Sequence, residues 1–104
     1  MVRHIVMWKI DKVPADRAAD TAGDLREMLL RLRDGIDSVL RAEVGLQYEY
    51  PPLMVLCMDF QNWEGLEEYR VHPDHLAAVK VLRKHTTKLG AVDYEPTGGS
   101  ELKS

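Results

Sequence analysis

The chain has 104 residues, 45% of them hydrophobic and 30% charged, and a formal net charge of −3 at pH 7. This size and balance predict one globular domain, and the slight acidity gives no general attraction for nucleic acid. No apolar run is long enough to span a bilayer, and the N-terminus does not have the pattern of a secretion signal, so we expect a cytoplasmic protein without nucleic-acid or membrane partners. The single cysteine, Cys57, lies in an apolar run and is predicted to be a small buried hydrophobe.

The first predicted element is a strand over residues 2–10, in which His4, Val6 and Trp8 share one face. The other face is also apolar, which favours a position in the centre of a sheet. A helix is predicted over residues 14–33, because proline fits a first turn and apolar residues recur at steps of three and four. The apolar stripe of this helix consists of Ala18, Ala22, Leu25, Leu29 and Leu32.

Two further strands are predicted on either side of Pro51 and Pro52, which mark a turn. In residues 39–50 apolar and polar side chains alternate from Leu40 onwards, which indicates a strand with one face that is wet or paired. Residues 53–60 are almost all apolar, a pattern typical of a strand covered on both faces.

The next segment, residues 68–76 with the sequence EYRVHPDHL, is predicted to contain a helix break. Asn62 can cap a short helix that ends before Pro73, since the residue before a proline is pushed out of helical geometry. Pro73 fits the first position of a second helix with an apolar stripe and a basic end, and we interpret that end as a solvated complement to the helix dipole. A strand over residues 89–95 and a polar tail over residues 96–104 complete the chain. The stripe is Leu76, Val79 and Leu82, and the basic residues are Lys80, Arg83, Lys84 and Lys88.

The order of elements, β-α-β-β-α-β with a broken second helix, predicts an α+β fold with one antiparallel sheet and helices on a single face. The first and third strands are expected in the centre, because both are apolar on both faces. The helices leave the other face uncovered, and burial of a large side chain is worth roughly 1.5–3 kcal/mol. We therefore predict a homodimer in which two sheets pack face to face.

Three segments, VRHIVMWKI, EYRVHPDH and VDYE, occur in an order and at separations that resemble the Dabb family, the stress-responsive A/B barrel domains. The resemblance extends over about residues 2–95, so we assign residues 1–95 to the domain and residues 96–104 to a flexible tail. It implies a ferredoxin-like βαββαβ sheet that dimerises into an α+β barrel. Most members have no assigned activity, and plant members are linked to stress responses.

One plant member of that family, olivetolic acid cyclase, closes a linear polyketide by an intramolecular aldol condensation, with a tyrosine and a histidine as acid and base. Its pattern Tyr-X-X-His-Pro-X-His is met here by Tyr69, His72, Pro73 and His75. The resemblance thus implies Tyr69 and His75 in the catalytic positions. It also implies His4 as a pocket residue, and we expect binding contributions from His4, His72 and Trp8.

The residue types support the same chemistry. His75 is predicted near the third position of the helix begun by Pro73, where free backbone N–H groups and the positive helix end keep the imidazole neutral. Tyr69, across the break, would donate to a carbonyl oxygen and stabilise an enolate. We therefore predict an apolar pocket for a small apolar or aromatic ligand, with cofactor-free acid–base chemistry on a polyketide-like or other carbonyl compound.

Other interpretations of these residues stay open. The pair also fits a helix corner without chemistry, in a non-catalytic stress-related or ligand-binding protein. A metal site at His72, Asp74 and His75 has a weak spacing, even with His4 added, and we predict neither a metal nor a cofactor. A cofactor-free monooxygenase rests on barrel shape alone. A cavity of a few hundred Å³, reached by both the phenol and the imidazole, would favour a ligand site.

Overall fold

The computed structural model describes residues 1–97, in which four strands and three helices are formed. None of these helices is both long enough and apolar enough to cross a membrane. Most of the predicted flexible tail falls on residues 98–104, which lie outside the described residues. The strands are β1 (Val2–Lys9), β2 (Val39–Gln47), β3 (Leu53–Phe60) and β4 (Thr87–Tyr94). The helices are α1 (Ala18–Gly35), preceded by a 3-10 turn at Ala15–Arg17, α2 (Trp63–Val71) and α3 (Pro73–His85).

The strands form one antiparallel sheet in the order β2-β3-β1-β4. The prediction that the first and third strands lie in the centre is therefore confirmed, and so is the ferredoxin-like α+β arrangement of the elements. The predicted boundaries were less accurate, since β2 ends at Gln47 rather than Tyr50 and β4 begins at Thr87 rather than Leu89. Strand ends depend on pairing with a neighbour, which local sequence does not record.

The helices pack on one face of this sheet and close a core against it. Every residue of the apolar stripe predicted for α1 is buried. Phe60 and Met58 at the end of β3 are fully buried, as is Leu66 from α2. This burial supplies the main favourable term in folding, at about 25 cal/mol per Å² of apolar surface.

One residue of β2 departs from the predicted alternation. Val39 pairs with Phe60 and Arg41 pairs with Asp59, so Leu40 is an extra residue in a β-bulge. Leu40 is 57% exposed rather than part of the apolar face. The alternation resumes after the bulge, because Ala42, Val44 and Leu46 lie opposite buried residues of β3.

The opposite face of the sheet has no helix over it in the part of the chain that the structure describes. Met7 is 42% exposed and Val92 is 52% exposed on this open face. Cys57, the register partner of Ile5, lies there too and is half-buried. The thiol predicted to be buried is thus only half-buried in the single chain, because an apolar run in a central strand places every second side chain on the face that the helices leave open.

Candidate functional site

A cavity of about 450 Å³ lies between the sheet and α3, with β4 along one side. This volume is within the usual range for sites that bind small molecules. The residues that line it are mostly apolar, with polar side chains concentrated near the start of α3 and near its end. They include His4, Val6, Trp8, Leu56, Tyr69, Arg70, His75, Leu76, Val79, Leu82, Arg83, Lys88, Ala91 and Asp93.

The break between α2 and α3 places two of the predicted site residues together. α2 ends at Val71, and His72 has extended geometry with φ −68° and ψ 136° before Pro73 begins α3. His72 caps α3, because its Nδ1 accepts a hydrogen bond of 3.1 Å from the backbone N–H of Asp74. As a result, the ring centroids of Tyr69 and His75 are only 4.3 Å apart, and both rings border the cavity.

His75 is held in one tautomer by the end of α2. Its Nδ1 lies 3.0 Å from the carbonyl oxygen of Arg70, which can only accept, so Nδ1 carries the proton. The Nε2 of the neutral ring is then left with a free lone pair. Burial lowers the pKa of His75 below 6.5, against a smaller opposing effect of its hydrogen bond to the Arg70 carbonyl, and the nearby Arg70 guanidinium lowers it further. The imidazole is therefore suited to accept a proton.

Tyr69 is suited to donate a hydrogen bond. Its side chain is 2% exposed, and burial raises the pKa of the phenol above its ordinary value, so the hydroxyl keeps its proton. The ring packs against Phe60 and His4, with centroids 5.4 Å and 5.8 Å away. Within residues 1–97 the hydroxyl has no hydrogen-bond partner, and Ser38 Oγ is the one fully enclosed side-chain polar atom without a partner. The Tyr69 hydroxyl must therefore border the cavity, where a ligand can accept from it.

Two charged residues that were not predicted as site residues, Arg70 and Asp93, lie at the end of the cavity that holds Tyr69 and His75. Asp93 of β4 is the register partner of His4, and its carboxylate accepts a hydrogen bond from Nδ1 of His4. The second oxygen of Asp93 lies 2.5 Å from Nη2 of Arg70. Asp93 thus fixes the orientation of His4, whose Nε2 is left free. The available signal was the closing segment VDYE, which contains Asp93 and is one of the three segments that resemble the Dabb family.

Of the two other predicted binding residues, Trp8 lines the cavity and His72 does not. Trp8 lines the cavity and is only 7% exposed. His72 is not among the lining residues, because its imidazole is directed to the cap of α3. As for the metal alternative at His72, Asp74 and His75, residues 1–97 contain no group of three or more histidine, cysteine or acidic side chains placed to hold a metal ion.

The fold and the site together define a ferredoxin-like α+β domain with a cavity beneath its helices. The family model described as Stress responsive A/B Barrel Domain, or Dabb, matches residues 2–96, and the chain belongs to this family. The resemblance drawn from the three sequence segments is confirmed at that level. No curated protein is similar enough to this chain to count as a relative.

Solved structures with the same fold are numerous. A dimeric protein of unknown function with a ferredoxin-like fold from Bacteroides fragilis is 31% identical to this chain, with a TM-score of 0.78, and the match covers 90% of this chain and 94% of that one. A putative antibiotic biosynthesis monooxygenase from Deinococcus radiodurans is 17% identical, with a TM-score of 0.78 and full coverage of both chains (100% and 100%). SnoaB, a cofactor-independent oxygenase from Streptomyces nogalater, is 10% identical, with a TM-score of 0.75 over 95% of each chain. The last two similarities show a shared fold only.

Proposed function

We propose that this Dabb protein is a homodimer that processes a small carbonyl compound, polyketide-like in type, by cofactor-free acid–base chemistry. His75 is the base, and Tyr69 is the hydrogen-bond donor that stabilises the enolate. The observation that carries the proposal is the pair of rings at 4.3 Å on the wall of one cavity of about 450 Å³. Among the residues that the structure describes, the Tyr69 hydroxyl has no protein partner, and it is left free to donate to a ligand or water in the cavity.

The chemistry needs no group beyond these two residues and the substrate. Nε2 of His75 removes a proton from the carbon next to a carbonyl, while the Tyr69 hydroxyl donates a hydrogen bond to the carbonyl oxygen and stabilises the enolate. The enolate carbon then attacks a second carbonyl of the same molecule and forms a carbon–carbon bond. The resulting alkoxide takes the proton back from the His75 imidazolium, so that protons and electrons balance.

His4 and Asp93 act as support in this proposal. The Asp93 carboxylate holds the His4 ring beside Tyr69, and Arg70 holds the carboxylate from its other side. A phenol whose ring is held in place needs little reorganisation when charge develops on the substrate oxygen. We assign both residues a positioning role, and Trp8 with the aliphatic side chains forms the apolar wall that takes the body of the ligand.

The first half of the reaction can be tested before the natural substrate is known. A medium-chain methyl ketone in D₂O loses its α-protons to deuterium whenever a base removes them, and NMR records the loss. We expect catalysed exchange by the wild type, a loss of about a hundredfold or more in His75→Gln, and a smaller loss in Tyr69→Phe. The matched control is His85→Gln, because His85 is on the same helix but does not line the cavity.

Equal exchange in wild type and His75→Gln would reject the role of His75. If the wild type binds the ketone without any exchange above buffer, the cavity is a binding site and the non-catalytic alternative is correct. A screen for co-purified metabolites by mass spectrometry would then identify the ligand class directly.

The homodimer is the second part of the proposal, and it is supported by the open sheet face and by the dimeric relative from Bacteroides fragilis. Large apolar side chains on this face, such as Met7 and Val92, are each about half exposed in the single chain (42% and 52%). Light scattering at micromolar concentration should give twice the mass of one chain, and Met7→Lys should shift the equilibrium to monomer. A wild-type monomer under those conditions would contradict this part of the proposal.

A further inference from the structure

The cavity has a second polar end, away from Tyr69 and His75. Along α3, Arg83 follows His75 by eight residues, which is about 12 Å at 1.5 Å per residue. Along β4, Lys88 lies opposite Trp8, whereas Asp93 lies opposite His4 at the reactive end. Arg83 and Lys88, from different elements, therefore border the same cavity at a distance from the acid–base pair.

The two ends differ in charge. At the reactive end the guanidinium of Arg70 is paired with Asp93 at 2.5 Å. At the second end, no carboxylate of residues 1–97 lies within ion-pair distance of Arg83 or Lys88. The nearby Asp11 is 3.8 Å from Nζ of Lys9 and also accepts from the Thr87 hydroxyl at 3.0 Å. The second end thus carries uncompensated positive charge.

The helix dipole explains only part of this cluster. It favours cations in the last turn of α3, which accounts for Arg83 and Lys84. It does not account for Lys88, which is in β4. Nor does it distinguish Arg83, which lines the cavity, from Lys80 and Lys84, which do not. Of the four basic residues at this end of the molecule, Lys80, Arg83, Lys84 and Lys88, only Arg83 and Lys88 line the cavity.

The wall between the two ends is apolar, so a charged ligand group has favourable partners only at the ends. Arg presents a planar fork that matches a carboxylate, and Lys adds a point charge beside it. The side chains of this middle section are Val6, Leu56, Ala78, Val79, Leu82 and Ala91.

We propose that the ligand is an elongated carboxylic acid, with an apolar body in the middle of the cavity and its carboxylate bound by Arg83 and Lys88. The orientation of its other end toward Tyr69 and His75 rests on the proposed function, whereas the selection for a carboxylate does not. The basic end of α3, interpreted from sequence as a solvated face, is in part a recognition element.

The test is a binding measurement and needs no turnover. In a Trp63→Phe background Trp8 is the single remaining tryptophan, and it lines the cavity. Its fluorescence is titrated with decanoate and with decanol, which share an apolar chain and differ in head-group charge. We expect decanoate to bind about threefold to tenfold more tightly, a modest preference because Arg83 and Lys88 are both exposed and screened by solvent.

Two double variants that each remove two positive charges distinguish binding by Arg83 and Lys88 from a general attraction of the positively charged helix end for anions. Arg83→Gln with Lys88→Gln should abolish the preference for decanoate, whereas Lys80→Gln with Lys84→Gln should retain it. The ratio of the two affinities is measured within each variant, so a change in folding stability affects both ligands alike. Equal affinities in the wild type, or an unchanged preference in the Arg83 and Lys88 variant, would overturn the proposal.

The outcome is independent of the acid–base proposal. His75→Gln should keep the preference for decanoate while it loses ketone exchange. If exchange fails and the preference stands, the chain is a carboxylate-binding protein without this chemistry. If exchange stands and the preference is absent, the acid–base pair acts on neutral ligands and the carboxylate proposal is wrong.

Discussion

The helix-covered face of the sheet has a filled half, in which side chains pack tightly, and a hollow half, which contains the cavity. In the filled half, over β2 and β3, Phe60 and Leu66 are fully buried (0% exposed each). In the hollow half, between α3 and β4, the small side chains of Ala78 and Ala91 leave a cavity of about 450 Å³. The same sheet and the same broken helix thus provide a packed core on one side and room for a ligand on the other.

The comparison shows where this fold can hold polar groups. His4, Tyr69, His75 and Asp93 all lie in the hollow half, where a ligand or water can satisfy them. A buried polar group without a partner would destabilise the filled half by about 1–3 kcal/mol. Stability and the proposed chemistry therefore depend on adjoining but separable parts of one small domain.

The largest expected effect on the free energy of unfolding comes from truncating one leucine in the filled half, and a leucine of the hollow half is the comparison. Leu66→Ala should lower the free energy of unfolding by about 2–5 kcal/mol, because it opens a void in a packed core. Leu76→Ala should lower it by less than about 1 kcal/mol, because Leu76 borders the cavity and is 50% exposed. Urea denaturation at one fixed protein concentration measures both. Similar losses in the two variants would contradict the division into halves.

A smaller effect is expected from filling the hollow half. Ala91→Leu places a larger side chain on the cavity wall and should weaken binding of decanoate or of a methyl ketone by about tenfold or more, a change of about 1.4 kcal/mol. The free energy of unfolding should change by less than about 1 kcal/mol. Ala77→Leu on the exposed face of α3 is the control and should leave binding unchanged. Unaltered binding in Ala91→Leu would mean that ligands bind elsewhere.

The smallest effect is the contribution of His75 to stability at acid pH. Because the pKa of His75 is lowered in the folded chain, the unfolded chain binds the proton more readily, and stability is lost as pH falls below about 6.5. Above that pH the contribution is fully present. His75→Gln should therefore flatten the acid limb of the unfolding free energy, whereas His85→Gln should leave it in place. If the His75 variant keeps the wild-type pH profile, the half-buried ring is not held neutral in the folded chain.

Much of the fold was predictable because its signals are local. Apolar runs identified β1 and β3 as central strands, and Pro73 identified the helix break that brings Tyr69 and His75 close together. The bulge at Leu40 was not predictable, since it arises from the register of β2 against β3. The alternation around it is otherwise regular, and nothing in the local sequence marks the extra residue.

The candidate site also has a part that local sequence predicts and a part that depends on strand register. Tyr69 and His75 lie within one short segment, whereas Asp93 reaches His4 across 89 positions of the chain. That pairing depends on the register of β1 with β4, which includes an irregularity between Met7 and Trp8. The basic end of α3 was interpreted from the helix dipole alone, because the cavity beside Arg83 and Lys88 exists only once β4 is in place.

The most direct test of the account is an NMR titration of the His75 ring nitrogens in the wild-type protein. The structure predicts a neutral ring with the proton on Nδ1, held by the Arg70 carbonyl, and a pKa below 6.5. The Nε2 resonance should have the shift of an unprotonated nitrogen near neutral pH and should respond to ligand. A proton on Nε2, or a pKa at or above 6.5, would show that His75 is not the available base on which the proposed function depends.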